Sequence, residues 1–157
     1  MKPKVIRFLA DSMLGRLAKW LRVMGYDTHY QSAYKKGVMR DLINDGRLLL
    51  TRHMPTIDVY PNSLLILSDQ INRQLEEIRA RGYLTLDTPQ WFGRCLTCNT
   101  PLKEAALEDA RGSIPEYVFY QNTTGLRFCS SCRRYFWPGS HTRRMISQLK
   151  EWGFTCD

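Results

Sequence analysis

Four of the five cysteines stand in two Cys-x-x-Cys pairs, "CLTC" (Cys95, Cys98) and "CSSC" (Cys129, Cys132), about thirty residues apart. No other feature limits the C-terminal part of the chain so strongly. Each tight turn lets both sulfurs reach one ion, and four soft thiolates suit tetrahedral Zn²⁺ at about 2.3 Å. Two disulfides fit poorly in a cytosolic chain, and a thioredoxin-like motif would be a single pair near a strand–helix junction. A site closed by four cysteines is structural, not catalytic, and replaces the core that so short a segment cannot build. "RFCSSCRRYF" sets the second pair between aromatic strands, as in a zinc ribbon. The fifth cysteine, Cys156, reads as a free thiol without a role.

Upstream of the cysteines the pattern changes. "VIRFLA" (5–10), "DTHYQ", "RLLLTR" and "SLLILS" (63–68) are short strand candidates. Between and after them lie helical patterns. In "SMLGRLAKWLRVMG", Leu14, Leu17, Ala18, Leu21 and Met24 recur at helical spacing, Arg16, Lys19 and Arg22 fall mostly opposite, and Gly25 ends the run. "GVMRDLINDG" and "DQINRQLEEIRARG" are the other two helices, and "HMPTIDVYPN" is a loop with room for a helical turn. The third strand is apolar on successive positions, as a parallel strand covered on both faces should be. The order predicts an α/β layer, a mostly parallel sheet with flanking helices, over residues 1–90. A zinc ribbon with a C-terminal helix, "SHTRRMISQLKEWGF", follows over 91–157.

In open α/β sheets ligands bind beyond the carboxyl ends of the strands. Asp11, His53 and Asp69 mark three such ends. Converging carboxylates there would hold Mg²⁺ or Mn²⁺, which prefer oxygen ligands. Metal-assisted phosphodiester hydrolysis usually uses about two ions and three or four carboxylates. Asp11 and Asp69 are also good N-cap residues for the helices they precede. The cap is the favoured reading for Asp69, and for Asp11 the two readings stand equal.

Charge narrows the partners. The 157 residues carry 23 Lys+Arg against 15 Asp+Glu, a formal net charge of +8 spread over the whole chain. A compact basic protein favours polyanions through counterion release. No apolar run approaches the roughly 18 residues of a membrane span, and Arg7 and Asp11 interrupt the first apolar stretch. A soluble, cytoplasmic protein is expected.

"FLADSMLGRLAKWLRVMGYDTHY", "GRLLLTR", the two cysteine pairs and "YFWPGSHTRRM" together resemble the Mut-seven C-terminal ribonuclease domain family over roughly residues 5–148. The resemblance implies a PIN-like nuclease fold with an appended zinc ribbon, acting on RNA with Mg²⁺ or Mn²⁺. Carried over residue by residue, it makes Asp11 the first-strand acid. The acid usual at the start of the second helix is replaced by Gly37, and the one after the third strand by His53, in "TRH". Asp41, one turn into the short helix, is a partial substitute, and Asp69 completes the catalytic candidates Asp11, Asp41, His53 and Asp69. A neutral imidazole suits Zn, Mn or Ni better than Mg. Arg16, Lys35, Lys36, Arg52, Arg133, Arg134, Tyr135 and Trp137 are the candidate nucleic-acid contacts, since arginine with aromatics suits unpaired bases. Docking of the ribbon aromatics as a hydrophobic patch is the competing reading. Ser140 is read as a helix cap beside His141, and His29 as packing or surface. The alternative to a ribonuclease is an RNA-binding zinc-ribbon module that has lost its catalysis.

Overall fold

The computed structural model describes residues 5–85, 88–121 and 124–154, so Cys156 lies outside the described residues. The chain divides into two compact units, 1–99 and 100–157.

In the first unit the elements alternate: β1 (Phe8–Ala10), α1 (Gly15–Val23), β2 (Thr28–Tyr30), α2 (Val38–Asn44), β3 (Leu48–Thr51), α3 (Met54–Val59), β4 (Ser63–Leu65) and α4 (Ile71–Ala80). The four strands form one parallel sheet in the order β2-β1-β3-β4. Parallel neighbours cannot be joined by a hairpin, and here the helices make the crossovers. Phe8, Leu9 and Ala10 of β1 and Leu48, Leu49 and Leu50 of β3 are all buried, which is why both strands read as continuous apolar runs. Leu17, Ala18 and Leu21 of α1 and Ile71, Leu75 and Ile78 of α4 are buried as well. The helical turn expected between the third and fourth strands is α3, with His53 at its N-cap and Pro55 in its first turn.

Three helix starts differ from the sequence expectation. Asp11 and Ser12 do not cap α1. Asp11 O accepts the Leu14 N–H at 2.9 Å in a turn, and the N-cap residue is Leu14. The N-cap of α4 is Gln70, not Asp69; the Gln70 N–H instead donates to Ser68 Oγ at 3.0 Å. In the C-terminal helix Gly139 takes the N-cap position and Ser140 is already helical. At α1 the chain finishes a turn before the helix begins, which releases the Asp11 side chain from capping; at α4 the cap lies one residue later than expected and at the C-terminal helix one residue earlier.

The second unit holds a three-stranded antiparallel sheet, β5 (Lys103–Glu104), β6 (Arg127–Phe128) and β7 (Tyr135–Phe136), in that order. A short helix α5 (Glu116–Tyr120) and the longer α6 (Ser140–Glu151) complete it. Its small core is Ala110, Ile114, Val118 and Leu126, with Leu107, Phe119, Tyr135 and Trp137 packed against it. No helix among the described residues is long and apolar enough to cross a membrane.

Gly25, which ends α1, has φ +94°, and a Cβ there would sit 2.5 Å from Gln90 O. The segment it faces is held to the helix end by Phe92 N–H to Val23 O at 2.7 Å and Arg94 Nε–H to Gly25 O at 3.2 Å. Strain and backbone collision then act together. Gly25→Ala is expected to destabilise the fold by about 2 kcal/mol or more, read as a lowered urea midpoint at unchanged slope.

Candidate functional site

The four cysteine sulfurs lie within 4.8 Å of one another, with Cys95 and Cys129 buried and Cys98 and Cys132 partly so. The two turns repeat one geometry. Asn99 N–H donates to Cys95 O at 2.9 Å and Arg133 N–H to Cys129 O at 2.8 Å. The closing residue has positive φ in both, 67° at Asn99 and 63° at Arg133. Among the described residues, no other group of three or more His, Cys, Asp or Glu side chains brings its ligand atoms close enough to share an ion.

The first turn is anchored by Arg22, which is only 6% exposed. Arg22 Nε donates to Thr28 O at 2.9 Å, and Nη1 to Leu96 O at 2.9 Å and Thr97 O at 3.2 Å. Burial lowers its pKa, while the neighbouring Cys95 and Cys98 pull the other way. Asn99 adds a second anchor. Its Oδ1 accepts the Thr28 N–H at 2.9 Å, and its Nδ2 donates to Asp27 Oδ1 at 2.6 Å. Asp27 also pairs with Arg47 at 2.8 Å. Burial alone would raise the Asp27 carboxyl, but the Arg47 and Asn99 hydrogen bonds outweigh it and hold the pKa below the ordinary value. Sequence reading set Arg22 on the polar side of α1. Its spacing of four from Ala18 and eight from Leu14 in fact puts it in the buried stripe, and that signal was available.

The other candidate centre lies where β1 and β3 end. The chain leaves this pair in opposite directions, to β2 on one side and β4 on the other, so their carboxyl ends form the topological switch point of the sheet. Asp11 continues the ladder there, its N–H donating to Leu50 O at 3.0 Å. Thr51 Oγ1 donates to Asp11 Oδ2 at 2.7 Å and accepts the His53 N–H at 3.0 Å. Ser12 Oγ donates to Asp11 Oδ1 at 3.2 Å. Two tyrosines fix the adjoining main chain: Tyr34 Oη donates to Ala10 O at 2.7 Å and Tyr30 Oη to Ser12 O at 2.9 Å. Burial, with the Asp11 charge adding to it, pushes the Tyr34 phenol up to about 12, so it remains a donor at neutral pH. Thr51, Tyr30 and Tyr34 were not singled out in the sequence, where nothing in their spacing marks them.

The remaining candidates are placed less centrally. His53 is exposed, and its Nδ1 lies 2.8 Å from Thr56 Oγ1. Asp69 and Asp41 are exposed, Asp41 in the first turn of α2. The carboxylate engaged beyond β4 is Glu77, which accepts the Leu67 and Ser68 N–H groups at 2.8 and 3.1 Å. Gly37, at the position of the missing acid, is the N-cap of α2 with φ +87°. Arg16, Lys35, Lys36, Arg52, Arg133 and Arg134 are exposed. Tyr135 and Trp137 are partly buried against the core of their own unit, and Tyr135 Oη donates to Asp109 O at 3.0 Å. His29 is half-buried with its Nδ1 unpartnered among the described residues.

The family model described as the Mut7-C RNAse domain matches residues 6–149. The chain belongs to the Mut7-C RNAse domain family. No curated protein and no solved structure matches it significantly. The family match spans both the switch-point carboxylate and the four-cysteine cluster.

Two expected outcomes test this geometry. Thr51→Val keeps the shape but leaves Asp11 Oδ2 and the His53 N–H without their shared partner; a loss of about 1–3 kcal/mol in urea unfolding is expected. His29 supplies the pH dependence. Burial, then the Arg47 and Arg22 charges, lower its pKa, against the pull of Asp27. The unfolded chain therefore takes up a proton first as pH falls through about 6.5, and stability declines from there downward. His29→Asn is expected to flatten the decline between pH 7 and pH 5.

Proposed function

We propose that this chain is a metal-dependent ribonuclease whose ion site has been reduced to one well-positioned carboxylate, Asp11. The observation that carries the reading is Asp11 at the switch point, free of helix capping and oriented by Thr51. The donor set fits a sparse mode of hard-cation binding, in which one or two carboxylates act with water and substrate phosphate. Asp11 would be the ligand. When bound, such an ion supplies Lewis acidity and a more acidic water. Thr51 fixes the carboxylate rotamer, and His53, whose backbone N–H shares Thr51 Oγ1 with Asp11, would be a softer donor that favours Mn²⁺ over Mg²⁺. The four cysteines we assign to structural Zn²⁺, the metal their tetrahedral sulfur set suits best. In this reading residues 1–90 are the PIN-like nuclease layer, 91–157 the zinc ribbon, and the protein works on RNA in the cytoplasm.

A second reading, an RNA-binding module without cleavage, is favoured by one specific observation. Asp41 and Asp69 are exposed, and Glu77 is occupied by backbone N–H groups. One assay separates the two. Zinc-loaded full-length chain is incubated with single-stranded and structured RNA in EDTA, Mg²⁺ or Mn²⁺. Cleavage is expected with Mn²⁺, weaker with Mg²⁺ and absent in EDTA. Asp11→Asn should reduce it at least 100-fold, and His53→Asp should raise the Mg²⁺ rate about tenfold. RNA that is bound but stays intact under every metal condition would establish the second reading instead.

A further inference from the structure

The "YFWPGSH" stretch is part of the family resemblance and lies in the second unit, whereas Asp11 and Thr51 lie in the first. In the structure it builds one side of a pocket of about 490 Å³ in the second unit. That volume lies in the range of small-ligand sites. Tyr117, Tyr135 and Trp137 line it, together with Gln121, His141 and Arg143. Tyr117, on α5, is 64% exposed, so its ring is accessible to a ligand. Gly139 stands close to the indole: a Cβ there would meet Trp137 Nε1 at 3.4 Å, so the residue leaves that edge uncovered. Among the described residues, Arg143 forms no ion pair, and neither His141 nor Gln121 makes a side-chain hydrogen bond.

The charge pattern indicates what the pocket takes. Between Glu116 and Glu151 there is no acidic residue, while Arg127, Arg133, Arg134, Arg143, Arg144 and Lys150 all fall there. Every lining residue of the pocket belongs to this stretch. Aromatic faces beside unpaired cationic and amide donors match a base and its phosphate. Stacking is indifferent to base identity, and guanidinium donors complement phosphate oxygens.

We infer that this pocket is a binding site for one unpaired nucleotide of RNA. The base packs against Tyr117 and the Trp137 edge, and the phosphate lies on Arg143 and His141. The inference rests on the RNA-directed reading above and adds to it a holding site distinct from the Asp11 centre. It explains why an exposed tyrosine and an unpaired arginine share one cavity.

The test is fluorescence anisotropy with the zinc-loaded full chain and a short single-stranded RNA, without Mg²⁺ or Mn²⁺. Parallel titrations use AMP and UMP. Tyr117→Ala is expected to weaken RNA binding about tenfold, and Tyr117→Phe to restore it, since stacking needs only the ring. Arg143→Gln should weaken binding and reduce the salt slope by about 0.7, the loss of one phosphate contact on a single strand. Unchanged RNA affinity in both Tyr117→Ala and Arg143→Gln would overturn the pocket and leave the RNA-directed reading standing. Binding of AMP or UMP without any binding of RNA would overturn the assignment to RNA. Binding of none of them would overturn both.

Discussion

A guanidinium that is 6% exposed governs how the first cysteine pair is presented. Arg22 sits in the inward stripe of α1, where an unsatisfied cation would cost several kcal/mol. Its Nε donates to Thr28 O and its Nη1 to Leu96 O and Thr97 O. Those acceptors belong to β2 and to the turn between Cys95 and Cys98. The helix, the strand and the turn therefore satisfy one another. Asn99 closes the arrangement by engaging both Thr28 and Asp27, whose partner Arg47 also donates to Phe8 O at 3.0 Å. The main chain that carries Cys95 and Cys98 is thus held by hydrogen bonds that need no ion. Such preorganisation lowers the ordering cost that metal binding must otherwise meet.

The strand order acts on the other centre in a comparable way. A parallel sheet in the order β2-β1-β3-β4 has one place where adjacent strands send their chains apart. Side chains at the carboxyl ends of β1 and β3 face each other there with no connecting loop crossing between them. Asp11 and Thr51 occupy those two positions, and the 2.7 Å hydrogen bond between them follows from the register that pairs Ala10 with Leu50. The turn that delays α1 until Gly15 matters as much. A carboxylate used as a helix cap would point back along its own chain, whereas Asp11 points across to Thr51.

How much of this could be read in the sequence depended on the kind of interaction. The strands, the helices with regular apolar stripes and the two cysteine turns were legible, because burial and tight-turn ligation both leave a spacing. The helical turn α3 was foreshadowed only as room in a loop. Cap positions failed at Asp11, Asp69 and Ser140, since a favourable residue type does not fix at which residue the helix starts. Arg22 was assigned to the polar face by its charge although its spacing placed it inside. The carboxylate engaged after β4 came from Glu77, nine residues beyond Ser68 in the chain, and only the packing of α4 brings it back. Thr51, Tyr30 and Tyr34 act through contacts between distant segments, which no local pattern encodes.

The two departures from the family's acidic pattern are compatible with the backbone around them. Gly37 begins α2 at φ +87°, a conformation in which an acidic side chain would be strained by roughly 1 kcal/mol. His53 occupies the N-cap position of α3 without a side-chain capping hydrogen bond, its ring beside Thr56 Oγ1. A nuclease notch with several carboxylates repels RNA until cations neutralise it. One with a single carboxylate carries less of that repulsion, and the exposed Lys35 and Lys36 precede the glycine where an acid is expected. The same substitutions that weaken a hard-cation site therefore favour phosphate binding before any ion arrives. Under the proposed RNA-directed reading, such a centre would hold phosphate more readily, and cleavage there would rely more on the ion and the substrate than on the protein's own charge.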